Sequence, residues 1–103
     1  TRNNQFRGFN KLPTIVIVPA EKVSVKKILK DIFASADVRT WRISSGGTVL
    51  THSQYEGKVR LYKGGYLAIS AENNDYEALT LGAFINLLYR RAKENVKAIT
   101  IVF

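Results

Sequence analysis

The pattern of apolar and polar positions divides the chain into short strands, two helices and the turns between them. Residues 14–18 form a run of apolar and β-branched side chains bounded by Pro13 and Pro19. Because both alternate positions are apolar, the run predicts a strand buried on both faces of its sheet. Residues 98–103, within a predicted strand over 96–103, have a similar pattern. We therefore expect both strands at the centre of the sheet.

The two predicted helices differ in how their apolar positions are spaced. Residues 23–34 carry one apolar stripe, as expected for a helix that packs on one side. Residues 75–93 predict a longer helix with Asn74 as its N-cap and Glu77 three positions later. This helix is apolar almost all round, so it predicts burial on a second side. That side would form a homodimer through helix 75–93, with close packing that offsets the cost of Gly82 in mid-helix. Alternatively, the helix would lie deep across the sheet, covered by the basic tail.

The remaining patterned segments complete an α+β fold. Residues 38–44, 48–52, 57–62 and 66–71 predict four strands, which gives the element order β-α-β-β-β-β-α-β. Two crossing helices and antiparallel hairpins predict one mixed or antiparallel sheet with both helices on one face. We expect a single α+β domain over 13–103. Residues 1–12 have no periodicity and contain no acid, which predicts a basic, flexible N-terminal arm.

The hairpin between the last two of these four strands has a register that can be derived. A three-residue loop, Lys63 to Gly65, pairs Leu61 with Leu67 and keeps apolar residues on one face. A two-residue loop would mix polar and apolar residues on each face. Three-residue hairpin loops favour a left-handed last residue, which Gly65 supplies. The other face would then carry the side chains Lys58, Arg60, Tyr62 and Tyr66.

The charge of the chain makes this face a candidate binding surface. The sequence has 16 Lys and Arg against 8 Asp and Glu, a net charge of +8. Such an excess indicates an anionic partner. Cations next to aromatic rings suit a nucleic acid, since cations meet phosphates and rings stack on bases. We therefore expect a non-enzymatic domain that binds DNA or RNA.

Further basic residues could extend this surface or form others. In the helix over 23–34 and just before it, lysines recur on a second face, and two arginines flank Trp41 on its strand. We expect Trp41 in the core, with Arg39 on its face of the strand and Arg42 on the other. The additional candidate nucleic-acid contacts are Lys22, Lys26, Lys27, Lys30, Arg39, Arg42 and, in the arm, Arg2 and Arg7.

Composition excludes several kinds of chemistry. The sequence contains no Cys and one His, which removes disulfides, thiolate zinc sites, cysteine nucleophiles and two-histidine metal sites. We predict no catalytic residue, no metal and no cofactor. No apolar run approaches the ~20 residues of a membrane span. We therefore expect no membrane contact. The basic N-terminus is followed by an apolar run with Pro13 and Pro19 and no clear cleavage site, which does not predict a signal peptide. We expect a cytoplasmic location, and the absence of Cys is compatible with either compartment.

Two alternative functions stay open. One is a protein-interaction module, an inhibitor or adaptor that docks on an acidic surface. The other follows from Asp37, Glu56 and Lys58, an Asp…Glu-x-Lys pattern that resembles the restriction-endonuclease-like nucleases. That resemblance implies acids that hold Mg²⁺ and a lysine that assists the attacking water. The element order is also loosely similar to double-stranded-RNA-binding and ribosome-hibernation domains, which implies contact through the lysines of the first helix.

Overall fold

The computed structural model describes residues 13–34, 39–44 and 46–103, which form one six-stranded sheet and two helices. The elements, in chain order, are β1 (Thr14–Pro19), α1 (Val25–Phe33), β2 (Trp41–Ile43), β3 (Val49–His52), β4 (Lys58–Leu61), β5 (Tyr66–Ser70), α2 (Asn74–Ala92), a short 3-10 helix (Lys93–Asn95) and β6 (Val96–Val102). The order β-α-β-β-β-β-α-β confirms the predicted α+β class. The arm over 1–12, with Arg2 and Arg7, lies outside the described residues.

The strands are arranged in the order β2-β3-β4-β5-β1-β6, and every neighbouring pair is antiparallel. Strands β2 to β5 form a meander joined by short turns, whereas β1 inserts between β5 and β6. The prediction that 98–103 is a central strand is wrong, because β6 pairs only with β1 and forms one edge of the sheet. The apolar run of β6 does not require burial, since Ile101 on the covered face is 36% exposed and Val102 on the open face is 52% exposed.

One face of the sheet is covered by both helices. Ile15 and Ile17 of β1, Val59 of β4 and Leu67 of β5 point to this face and are at most 4% exposed. They share one cluster with the buried stripe of α1 and with Phe84, Leu87 and Leu88 of α2. Trp41 belongs to this core, as predicted. Placing both helices on one side leaves the opposite face, called here the open face, without a covering element among the described residues.

The open face explains why β1 is not buried on both sides, contrary to the prediction. Val16 is 38% exposed and Val18 is 42% exposed, whereas Ile15 and Ile17 between them are buried. β-Branched residues on an open face still favour the extended backbone, so the sequence pattern of a half-exposed strand resembled that of a fully buried one.

Each helix begins at a side-chain cap. Ser24 accepts a hydrogen bond from the backbone N–H of Lys27 and caps α1. Asn73, one residue before the predicted cap, accepts from the N–H of Tyr76 at 2.8 Å and caps α2. Because α1 begins at Val25, Lys22 precedes the helix and lies in a turn with φ of 68°.

Candidate nucleic-acid interface

The β4–β5 hairpin has the predicted register. Leu61 pairs with Leu67 and Val59 pairs with Ile69. The loop holds three residues, and the N–H of Tyr62 donates to the carbonyl oxygen of Tyr66 at 2.9 Å to close it. Gly65 has a φ of 89°, the left-handed conformation expected at the last loop position.

This register places the four predicted side chains on the open face. Lys58, Arg60, Tyr62 and Tyr66 are all exposed, whereas the residues between them on β4 and β5 point into the core. The alternation of the two strands thus separates the residues that hold the fold together from those available to a ligand.

Arg42 joins these side chains through the register of three strands. Arg42 pairs with Thr51, and Thr51 pairs with Lys58, so the three residues form one row across the open face. Adjacent strands are about 4.8 Å apart, which places Arg42 about 10 Å from Lys58 at the backbone. The sequence assigned Arg42 to a separate cluster around Trp41. Because Trp41 is buried, the next residue on the strand, Arg42, points to the other face of the sheet. The pairing of β3 with both β2 and β4 then places Arg42 in line with Lys58.

Tyr62 and Tyr66 form a stacked pair on this face. Their ring centroids are 5.2 Å apart and the ring planes differ by 14°. Tyr62 is 40% exposed and Tyr66 is 41% exposed. Each ring therefore keeps accessible surface beside the pair, and the stacked arrangement already holds both rings in place before any ligand binds.

The cations of the open face have no acidic neighbours on the sheet. None of the six strands contains Asp or Glu. In the described part of the chain Arg42, Lys58 and Arg60 make no ion pair, whereas Lys27 on α1 lies 3.2 Å from Asp31. The charges of this face are therefore not neutralised within the described chain, and they remain available to an anion.

The open face becomes apolar toward β6, a feature that the sequence analysis missed. Tyr66 pairs with Val16 and Val16 pairs with Thr100, so the tyrosine row continues onto β1 and β6. Val18 and Val102 extend this apolar half, and Val102 is 52% exposed. The face therefore has a cationic half over β2 to β4 and an aromatic and apolar half over β5, β1 and β6.

Four other predicted contacts within the described residues lie away from the open face. Lys26, Lys27 and Lys30 are exposed on α1, which packs on the covered side of the sheet. Arg39 precedes β2 and lies in a small cleft with Arg90 and Arg91 of α2. The structure thus brings together five of the predicted residues on one face and places these four on other surfaces.

His52, the one imidazole that could act in catalysis, lies in the core and not on the open face. His52 is 3% exposed, and its Nδ1 accepts hydrogen bonds from the N–H groups of Gln54 at 3.1 Å and Tyr55 at 3.3 Å. Burial lowers its pKa below the ordinary value of 6.5. It is therefore neutral at pH 7 and stacks on the ring of Tyr55.

The nuclease pattern is only partly within the described chain. Glu56 is exposed in the turn before β4, with φ of 56°, and Asp37 lies outside the described residues. Among the residues described, no group of three or more His, Asp or Glu side chains is placed to hold a metal ion. Lys58 is on the open face, where it pairs with Thr51 of β3 and Ser70 of β5.

The described helices include none long and apolar enough to cross a membrane. Comparison of the chain with protein-family models, with curated proteins and with solved structures finds no match. We therefore infer a function from the side chains of the open face.

Proposed function

We propose that this protein binds single-stranded nucleic acid on the open face and performs no chemistry on it. The observation that carries the proposal is the strand register, which puts Arg42, Lys58 and Arg60 on one uncovered surface with the stacked pair Tyr62 and Tyr66. Cations beside exposed rings are the combination that single-stranded nucleic acids require.

The cationic half of the face would hold the phosphates. Lys58 and Arg60 are two residues apart on one strand, about 7 Å along β4, and Arg42 is about 10 Å away across the sheet. At these separations the three cations would contact different phosphates. Release of counterions from those phosphates makes such binding fall steeply with salt.

The aromatic and apolar half would receive the bases. A base stacked on an exposed tyrosine contributes roughly 1–3 kcal/mol, whatever its sequence. Beyond Tyr66, the exposed Val16 and Val18 offer apolar surface on which further bases can pack. A duplex keeps its bases stacked on each other, so this half of the face favours single strands over double strands.

A longer ligand could also use the lysines of α1. Lys26 and Lys30 lie on the covered side of the sheet, so a short ligand would contact either these lysines or the open face. The arm over 1–12 would add cations if it approaches the ligand. The expected cytoplasmic location is a further part of this proposal.

A titration tests the proposal. Labelled single- and double-stranded DNA and RNA are titrated with protein at two salt concentrations, and binding is followed by fluorescence anisotropy. We expect the single strands to bind more tightly, with a steep loss at the higher salt. No binding to any of the four ligands at low salt would overturn the proposal.

Variants locate the surface. Arg60→Gln should weaken single-strand binding and reduce the salt slope by about 0.7, the value for one lost phosphate contact. Tyr66→Ala should weaken binding with the salt slope unchanged, because stacking releases no counterion. Lys97→Gln removes one exposed charge on β6, beside Ile85 and Leu88 of α2 on the covered side of the sheet, and serves as the matched control. An equal loss in Arg60→Gln and Lys97→Gln would mean that only net charge matters.

A protein-interaction module is the second candidate, and the apolar half of the open face favours it. Val16, Val18 and Val102 are 38%, 42% and 52% exposed. Apolar side chains bordered by cations suit an acidic protein surface with an apolar centre. This candidate expects a defined protein partner and no affinity for nucleic acid at physiological salt.

A homodimer through α2 would be compatible with either function. Leu79 is 46% exposed and Tyr89 is 64% exposed on this helix, and a Cβ on Gly82 would meet no atom within 4 Å. The outward side of α2 therefore has apolar surface and space for a second copy. Sedimentation or light scattering as a function of concentration measures this association.

A further inference from the structure

A small cleft lies where the second half of α2 passes the β2 edge of the sheet. Arg39, Arg90 and Arg91 line it, together with Asn86. Its volume is about 150 Å³. The cleft is on the covered side of the sheet, whereas Arg42, the neighbour of Trp41 on β2, points to the open face. It is therefore a separate surface from the proposed nucleic-acid interface.

The arginines reach the cleft from distant parts of the chain. Arg39 lies just before β2, whereas Arg90 and Arg91 are in the last turn of α2. The charge of Arg90 also complements the partial negative charge at the end of this helix, but that effect does not involve Arg39. Asn86 and Arg90 are four residues apart and so lie on the same side of α2. Arg91 has an interaction partner of its own, so we base the site on Arg39 and Arg90.

The floor of the cleft is aromatic and holds a buried donor. Trp41 is 6% exposed and meets the ring of His52 edge-on, with centroids 4.9 Å apart. Because the Nδ1 of neutral His52 accepts two backbone hydrogen bonds, its hydrogen is on Nε2. The hydrogen bonds of the His52 ring within the described chain are both to Nδ1, and the residue is 3% exposed. A buried donor is normally paired with protein, water or a ligand, and an oxyanion in the cleft would offer an acceptor to Nε2–H.

The size and the donors of the cleft select the class of ligand. Pockets for drug-sized molecules occupy about 300–1,000 Å³, so this cleft suits something smaller. Guanidinium groups present paired N–H donors that match the oxygens of a phosphate. No described residue lining the cleft is acidic. Guanidinium groups that line one concave site repel each other, and an anion between them would replace that repulsion with attraction to both.

We propose that this cleft binds a phosphate group as a tetrahedral oxyanion, held by Arg39 and Arg90 with the amide of Asn86. The phosphate would be either free inorganic phosphate or the terminal phosphate of a larger molecule. The site goes beyond the proposed function and does not depend on it, because it uses none of the side chains of the open face.

Trp41 provides a direct measurement, since it is the only tryptophan in the sequence and lines the cleft. Its fluorescence is recorded while inorganic phosphate replaces chloride at constant ionic strength. We expect a saturable change. Arg39→Gln and Arg90→Gln should each weaken phosphate binding by about tenfold or more, as for loss of a charge-assisted hydrogen bond. Lys97→Gln removes one charge elsewhere and should leave the affinity unchanged.

Circular dichroism and thermal unfolding of each variant establish that it is folded before its affinity is compared. Short oligonucleotides with and without a 5′-phosphate then identify the source of the phosphate. Competition with inorganic phosphate by the phosphorylated oligonucleotide alone would assign a terminal phosphate. Competition by neither would assign free phosphate, provided that the phosphate titration itself saturates. A titration without saturation, or an equal loss of affinity in Lys97→Gln and Arg39→Gln, would overturn the site.

Discussion

Gly57, in the turn before β4, lies directly against Thr80 in α2. An ideal Cβ on Gly57 would be 2.6 Å from the Cβ of Thr80 and 2.7 Å from its Cγ2. Thr80 is fully buried, and its Oγ1 donates a hydrogen bond to the carbonyl oxygen of Tyr76 at 2.7 Å. The side chain of Thr80 is therefore held in place, and the missing side chain at Gly57 is what lets the sheet and the second helix approach each other.

Gly57→Ala should therefore destabilise the protein. The added methyl group must displace either the turn or the helix, since Thr80 is anchored by its own hydrogen bond. We expect a loss of about 1–3 kcal/mol in the free energy of unfolding, the usual range for overpacking. Urea unfolding measures it. The loss should be smaller in the Thr80→Ala background, because Oγ1 and Cγ2 of Thr80, two of the three atoms that the added Cβ would meet, are gone. Additive effects of the two substitutions would contradict the close contact.

In the monomer, Gly82→Ala should have the opposite sign. Gly82 is in the middle of α2, and a Cβ there would meet no atom within 4 Å. Alanine in a helix interior is about 1 kcal/mol more favourable than glycine, so the free energy of unfolding should rise by about 0.5–1 kcal/mol. At Gly57 the added methyl group meets Thr80, whereas at Gly82 it meets no atom. Comparing the two substitutions therefore separates the effect of steric overlap from the effect of replacing a glycine. A destabilised Gly82→Ala protein would instead indicate a neighbour at Gly82, as the homodimer requires.

The stability should decrease as pH falls through the titration of His52. Unfolded His52 titrates near 6.5, and burial lowers its pKa in the folded protein. Between these two values the unfolded chain binds more protons, so the free energy of unfolding falls with decreasing pH. The stabilisation is complete above 6.5 and is lost below it. Protonation also removes the lone pair that accepts the N–H groups of Gln54 and Tyr55.

Urea unfolding at several pH values from about 7.5 to about 5 measures this dependence. His52→Gln is the control, since glutamine does not titrate. The quantity compared is the change of stability with pH, not the absolute stability, because the substitution itself removes buried contacts. The same pH dependence in both proteins would mean that other groups cause it.

Val59 and Arg60 are neighbours on β4 with opposite roles. Val59 is fully buried, so Val59→Ala should lower the free energy of unfolding by roughly 2 kcal/mol through the cavity that it leaves. Arg60 is on the open face, and Arg60→Gln should change stability by less than about 0.5 kcal/mol. Only the second substitution should weaken nucleic-acid binding in the folded protein. Thermal unfolding and anisotropy on both variants measure the two effects.

The hairpin register was predictable because one loop length keeps Leu61 and Leu67 on the same face and the other does not. The same alternation predicts the shared face of Lys58, Arg60, Tyr62 and Tyr66. Local alternation is sufficient in this case, since the two strands are joined by three residues and have little freedom to slip.

The edge position of β6 was not predictable from the same kind of pattern. An apolar run indicates that a strand tolerates burial on both faces, and it does not indicate which elements cover them. The N-cap of α2 differs for a local reason: Asn73 and Asn74 are both good caps, so the choice depends on where the chain leaves β5. The grouping of Arg39 with Arg90 depends on how α2 crosses the sheet, which no local pattern encodes.

The insertion of β1 between β5 and β6 has a consequence for the order in which the fold is assembled. Strands β2 to β5 pair through short turns, whereas Thr14 of β1 pairs with Ala68 and Val102, both far along the chain. Long-range pairings form more slowly than local ones, so we expect the meander to form first and β1 to dock later. Until it docks, the edge of β5 is exposed and can pair with a strand of another chain. The yield of refolding should therefore decrease with protein concentration, although in the native sheet β1 pairs with this edge of β5 from Tyr66 to Ala68.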